Sequence, residues 1–253
     1  MKIAEYVSTA LIPELRRLWK IAFGDGDAFL DIFFSTAYAP ERCRCITEGD
    51  RVLAALYWFD IRCEGRKLAY IYAVATDPAC RNRGLCRRLM DNTLQVLTDR
   101  GYDGAMLVPV TQDLIGMYEK MGFVPCSTVS EFWCGPQIPA APIHKVDSET
   151  WALARKALLP PGAVLQEGEN LALLESLATF YTGPGFAAAV AEEEGKLRCL
   201  ELLGDVDAAP HILMALGYDC GFFRCPGKGK PFAMLSLLTQ DCPKPTYLGF
   251  SFD

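Results

Sequence analysis

Two histidines, no Cys-x-x-Cys pair and no uninterrupted run of eighteen apolar residues exclude three kinds of protein at the outset. Zinc needs clustered thiolate and imidazole ligands. Only His144 and His211 offer imidazoles, and Cys43 and Cys45 stand two apart, so no metal is expected. A membrane-spanning helix needs about twenty consecutive apolar residues. Met1 to Val7 carries Lys2 and Glu5 and lacks the apolar centre of a secretory signal. The expectation is a cytoplasmic chain with no membrane partner. Basic charge is also scarce: 31 Asp and Glu against 25 Lys and Arg give a net charge of −6. That leaves no domain-wide positive field to gather nucleic acid by counterion release, so no nucleic-acid partner is expected. With 51% hydrophobic and 22% charged residues, burial offsets the entropy of ordering, which excludes general disorder.

What is present is a long chain with an odd number of cysteines, eleven, and with no secretory leader expected, so reduced thiols are expected rather than a disulfide framework. A length of 253 residues allows one large domain or two modest ones. Leu11, Leu15, Leu18 and Ala22 recur at helical spacing. From Arg44 to Ala75, short apolar runs are divided by Glu48-Gly49-Asp50 and by Cys63-Glu64-Gly65-Arg66, which predicts three antiparallel strands. The third, Ala69 to Ala75, has almost no polar alternation and is expected to lie centrally. A helix is predicted from Cys86 to Gly101, a strand at Ala105 to Val108, a helix from Thr111 to Gly122 and a strand at Ser127 to Trp133. This is mixed α/β with one βαβ crossover.

Gly135 to Pro142 carries three prolines and reads as a linker. The expected domains are therefore 1-135, a linker at 136-145, and 146-253. In the second half, helices are predicted near Glu149 to Leu158, Asn170 to Tyr181 and Val206 to Leu216. Strands are predicted at Phe186 to Ala191, at Leu197 to Leu203 and onward to Phe252. Leu202 to Tyr218 can be laid without gaps over Leu107 to Phe123, which places Leu213 where Tyr118 stands.

Chemistry concentrates at Arg81-Asn82-Arg83-Gly84-Leu85-Cys86, between an apolar strand and a helix start. Backbone N–H groups there lack intrahelical partners and the helix dipole is positive. Gly84 lets the main chain approach a bulky phosphate, and Arg81, Arg83 and Arg87 add charge-assisted donors. The junction contains neither G-x-G-x-x-G nor G-x-x-x-x-G-K-[ST], which makes the dinucleotide and P-loop readings the weaker ones.

Val74 to Met90, with its Arg-x-x-Gly-x-Cys run, and Tyr118-Glu-Lys-Met-Gly-Phe123 together resemble the GNAT superfamily of acyl-CoA-dependent acyltransferases. The likeness covers about Arg44 to Trp133. Its Arg-x-Arg-Gly-Leu-x-Arg pattern is similar to the enhanced-intracellular-survival branch. Cys86 departs from the small Gly or Ala usual at that place, but cysteine is still compact. The resemblance implies a mixed, mostly antiparallel sheet flanked by helices, followed by a smaller, degenerate GNAT-like α/β domain. It implies transfer of an acetyl group from acetyl-CoA to a primary amine of a small molecule or peptide by direct attack. The alternative, from another class, is a catalytically silent acyl-CoA sensor, and a homodimer is a further possibility. The implied CoA contacts are Ala73, Val74 and Thr76 along the pantetheine, with Arg81, Asn82, Arg83, Gly84, Leu85, Cys86 and Arg87 at the phosphates. Val74 N–H would polarise the thioester carbonyl and Tyr118 would protonate the departing thiolate. Tyr70, Tyr72, Glu131 and Glu48 are candidates near the acceptor, and the branch implies the chain's last carboxylate, Asp253, as a further base. The second half, with no arginine loop of its own, is expected to bind no CoA and to serve the acceptor side.

Overall fold

The computed structural model describes residues 2–3 and 7–252. The chain runs β1 (Lys2–Ile3), α1 (Ile12–Phe23), α2 (Asp27–Thr36), β2 (Cys43–Glu48), β3 (Arg51–Cys63), β4 (Arg66–Thr76), α3 (Leu85–Asp99), β5 (Gly104–Leu107), α4 (Gln112–Glu119) and β6 (Val124–Pro125). It continues through β7 (Thr128–Cys134), β8 (His144–Val146), α5 (Ser148–Leu158), α6 (Glu169–Leu177), β9 (Thr179–Gly183), β10 (Phe186–Glu193), β11 (Lys196–Gly204), α7 (Ala209–Leu216), β12 (Gly221–Pro226), β13 (Lys230–Pro231) and β14 (Met234–Leu237). Two seven-stranded, mostly antiparallel sheets result, in the orders β1-β2-β3-β4-β5-β14-β6 and β13-β7-β12-β11-β10-β9-β8. The α/β class expected from the sequence is the class observed.

Local chemistry accounts for most elements. In α1, Leu15, Leu18 and Trp19 form the buried stripe, Pro13 sits in the first turn where its missing N–H costs nothing, and Gly24 closes the helix in the left-handed conformation. Burying each such leucine contributes about 1.5–3 kcal/mol relative to exposure. β4 is central as expected, buried from Leu68 to Ile71 between β3 and β5. Leu85, Leu89, Met90, Thr93 and Leu97 are the buried face of α3. Leu85, Leu89, Met90 and Leu97 pack with Tyr102, Ala105, Leu107 and Phe123 in one core cluster. α2 was not foreseen, because only Leu30 and Phe33 are buried in a run rich in aromatic residues. Helix α6 stops at Leu177, short of the predicted Tyr181, and Thr179–Gly183 becomes a strand.

The structure divides the chain differently from composition. The two compact units are Met1–Val124 with Met234–Cys242, and Pro125–Ala233 with Pro243–Asp253. β7, expected to close the first domain, pairs with β12 from Gly221↔Cys134 to Pro226↔Val129 in the second sheet. In return β14, from the second half of the sequence, pairs with β5 from Met234↔Leu107 to Leu237↔Gly104. The proline-rich segment therefore lies inside the second unit, tied by Gln137 N–H to Pro210 C=O and Ala141 N–H to His211 C=O, each at 3.0 Å.

Reading the second sheet from β8 to β13 reproduces the first from β1 to β6, including a parallel pair at the matching place, β4/β5 in one and β11/β12 in the other. The duplication is thus present in topology. Its register, however, places α7 opposite α3 and β11 opposite β4. The sequence overlay had matched α7 to α4, because an apolar helix ended by glycine and an aromatic residue is a common local pattern. Leu213 therefore does not stand where Tyr118 stands.

Candidate functional site

The site grows from a break in strand pairing. β4 and β5 pair only at Leu68↔Gly104, Ala69↔Ala105 and Tyr70↔Met106, although β4 continues to Thr76. Beyond Tyr70 the two strands part. On the other side of β4 the ladder slips between Tyr57↔Tyr72 and Ala55↔Ala75, so that Ala73 and Val74 together oppose Leu56. This bulge holds Ala73 at φ 48°. Such a conformation costs an alanine roughly 1–3 kcal/mol and is maintained only where surrounding structure dictates it. The bulge falls at Val74, the residue whose N–H the sequence reading singled out. Ala73, Val74 and Thr76 are all half-buried. The sequence carried no sign of the bulge, because alanine gives none of the left-handed preference that glycine or asparagine would.

After Thr76 the chain turns at Asp77, which is 3% exposed. A short turn, Pro78–Cys80, leads to Asn82 at φ 59° and Gly84 at φ 72°. α3 then opens without a side-chain cap. Its first intrahelical bond runs from Arg88 N–H to Gly84 C=O at 3.0 Å, so the N–H groups of Leu85, Cys86 and Arg87 project from the helix end. Arg81, Asn82, Arg83 and Gly84 are exposed on this turn, Cys86 is half-buried and Leu85 is buried. Arg87 is exposed but reaches along the helix to the Lys120 carbonyl at 3.0 Å, and Arg83 Nη1 lies 3.6 Å from Cys80 Sγ. A Cβ on Gly84 would meet nothing within 4 Å. Among the described protein atoms, what calls for glycine here is its positive φ.

Tyr118 is held on α4, which Thr111 caps by accepting from Leu114 N–H. Its ring is 6% exposed and meets Phe123 edge-on at 5.8 Å. Tyr118 shares a core cluster with Leu85 and Leu89 of α3, and Val74 packs against that cluster. Burial pushes the phenol above its ordinary pKa, and the neighbouring Cys86 thiol adds to the rise. The hydroxyl is therefore protonated at neutral pH and stays so well into alkali. The structure thus brings Tyr118 and Cys86 together at the foot of α3, with Val74 against the same core cluster.

The acceptor-side candidates scatter. Tyr70 is buried and Tyr72 half-buried among Trp19, Phe33 and Phe59. Glu131 lies on β7 in the other sheet, where Arg224 Nε donates to it at 2.8 Å and Lys230 pairs with it. Burial acts to raise its pKa, but Lys230 and Arg224 hold it below the ordinary range. Glu48 is exposed at the end of β2, and Asp253 lies outside the described residues. No described group of three His, Cys, Asp or Glu side chains has the arrangement of a metal site. No described helix is long and apolar enough to cross a membrane.

The second unit repeats the parting of strands without the charged loop. β11 and β12 pair at Leu197↔Gly221 to Cys199↔Phe223 while β11 runs on to Gly204. The connection to α7 holds Asp205 and Asp207, with Asp205 capping the Asp207 N–H, and has no arginine.

Residues 4–126 match the family model of the acetyltransferase (GNAT) domain. No curated protein matches the chain. Among solved structures, it is similar to a GCN5-related N-acetyltransferase from Kribbella flavida, with TM-score 0.72, 18% identity, and coverage of 93% of this chain and 70% of that one. A putative acetyltransferase from Pyrococcus horikoshii gives TM-score 0.66 at 16% identity over 98% and 93%. Eis1 from Mycobacterium abscessus gives 0.69 at 13% over 94% and 74%. At these identities the likeness is one of fold.

Proposed function

Because the first half of the chain belongs to the GNAT superfamily, we propose that this protein is an N-acetyltransferase that moves an acetyl group from acetyl-CoA to a primary amine of a small molecule or peptide. One observation carries the reading: an uncapped helix N-terminus flanked by exposed arginines opens directly beyond the point where β4 and β5 part. The projecting N–H groups of Leu85, Cys86 and Arg87 suit a pyrophosphate, with Arg81 and Arg83 supplying charge and Asn82 and Gly84 the turn. The free edge of β4 at Ala73 to Thr76 suits the amide groups of a pantetheine arm, as an added strand would.

The chemistry then follows from the residues at the parting. A donor aimed at the thioester oxygen stabilises the negative charge that develops there as an amine attacks, commonly worth about 3 kcal/mol. Val74 N–H, in the bulge, is our candidate for this role. The departing sulfur needs a proton, and Tyr118 supports that role because its phenol is neutral and buried beside α3. The second unit, with Asp205 and Asp207 where the arginine loop stands in the first, is assigned no CoA of its own.

Calorimetry with CoA, followed by a screen of acetyl-CoA against amine classes read by free thiol, tests the proposal. One CoA per chain and amine-dependent thiol release are expected. Binding without turnover on any amine would instead make the protein an acyl-CoA sensor, and no binding would refute both readings.

A further inference from the structure

The turn that leads into the arginine loop is held by a charge cluster that the CoA-binding reading does not use. Asp77 is buried, yet three groups converge on its carboxylate. Arg51 Nη2 donates at 2.9 Å and Arg17 Nη1 at 3.2 Å, both to Oδ2. The Ala79 N–H donates to Oδ1 at 3.1 Å. The backbone is equally fixed: Asp77 N–H reaches Leu53 C=O at 2.8 Å and Cys80 N–H reaches Asp77 C=O at 2.7 Å. Arg17 is itself clamped, bonding both oxygens of Glu14 at 3.0 and 2.9 Å and the Val52 carbonyl at 2.8 Å. The cluster therefore ties α1 and the start of β3 to the first residue of the loop. Four and six residues after the Pro78 that follows it come Asn82 and Gly84, both at positive φ, which no regular hydrogen-bond ladder maintains.

We infer that Asp77 is a positioning residue for acyl-CoA, locking the 78–84 loop through Arg51 and Arg17 so that the helix end and its arginines stand ready before the ligand arrives. The inference rests on the proposed function. Electrostatics alone gives the opposite expectation for one variant. A carboxylate near a phosphate site repels the ligand, so removing its charge would tighten binding if field were all that mattered. If Asp77 instead holds the loop, its loss leaves the binding-competent arrangement a minority, and apparent affinity falls by that fraction.

The experiment compares Asp77→Asn and Arg51→Gln with the parent in the full chain, measuring CoA affinity by calorimetry together with kcat and KM for acetyl-CoA. Asparagine keeps a cap for Ala79 N–H, so the variant separates the ion pairs from the turn. Arg51 is half-exposed, so its replacement leaves the core intact. Both variants are expected to raise the CoA Kd and KM about tenfold, corresponding to a loop competent about one-tenth of the time, with kcat within twofold of the parent. Their double variant should be no worse than either single one. Tighter binding by Asp77→Asn, or unchanged Kd in both folded variants, overturns the inference while leaving CoA binding by the parent in place. A parent that binds no CoA overturns the function itself.

Discussion

Removing the Tyr118 hydroxyl is the perturbation whose effects on folding and on turnover separate most widely. The ring is 94% withdrawn from solvent and packs in the cluster formed by Leu85, Leu89 and Phe123. Phenylalanine fills the same space. No hydrogen bond to the hydroxyl is found among the described residues, so Tyr118→Phe leaves no stranded protein partner. A change of this kind is nearly neutral to stability, within about 0.5 kcal/mol. Loss of a positioned proton donor to the leaving thiolate typically lowers turnover about 10²- to 10⁴-fold, equal to roughly 2.7–5.4 kcal/mol of barrier. The assay is thiol release at saturating acetyl-CoA and amine, under conditions where chemistry limits the rate, alongside calorimetry for CoA. Unfolding midpoint and Kd should stay with the parent while kcat collapses. The raised phenol pKa adds a control: Tyr118 contributes no alkaline decline to the parent profile below the ordinary tyrosine range. A kcat within threefold of the parent would refute the donor role and leave Tyr118 as core.

The reciprocal exchange of β7 and β14 predicts that a chain ending at Pro136 does not fold, since it loses β14 from the first sheet and strands β7 without β12; a cooperative unfolding transition for that fragment would contradict the topology. Glu201→Gln, which leaves the buried Arg155 without its 2.7 Å partner, should cost about 3–5 kcal/mol in urea unfolding, whereas replacing both by apolar residues should cost far less. Arg51 leads the groups that hold the Asp77 carboxyl below its ordinary pKa, and Lys230 and Arg224 do the same for Glu131. Their stabilising contribution is complete above the ordinary carboxylate pKa near 4 and is lost as pH falls through the lowered folded values. Thermal midpoints should therefore hold from pH 7 to 5 and drop below about 4, less steeply in Asp77→Asn. Ala73→Gly should stabilise by about 0.5–1 kcal/mol and Gly84→Ala should destabilise by about 1 kcal/mol, because both positions need positive φ; destabilisation by Ala73→Gly together with stabilisation by Gly84→Ala would reject the bulge and the loop geometry together.

What the sequence disclosed follows the range of each signal. Periodicity within one segment located α1, α3, α4 and the β2–β4 meander, and glycine and arginine at one junction located the loop at Arg81 to Gly84, because those features are set by residues a few positions apart. The bulge at Ala73 and the cluster on Asp77 escaped. Ala73 owes its conformation to a register slip against Leu56, and Asp77 owes its burial to Arg17, sixty residues away, and to Arg51. The strand at Ser127 to Trp133 is the sharpest case. Its existence was legible from its own apolar and β-branched residues, but its sheet was not, since pairing depends on the edge that β12 offers at Gly221 to Pro226. Proline at 136, 139 and 142 does mark backbone that cannot pair, and 135–143 indeed forms no strand. Failing to pair is a different property from dividing units. Gln137 and Ala141 spend their N–H groups on the first turn of α7, so the stretch read as a linker is fastened within the second unit, and the division falls earlier, where Val124 gives way to Pro125. In a duplicated chain whose halves trade strands, the point where sequence looks weakest therefore need not be the point where the structure separates.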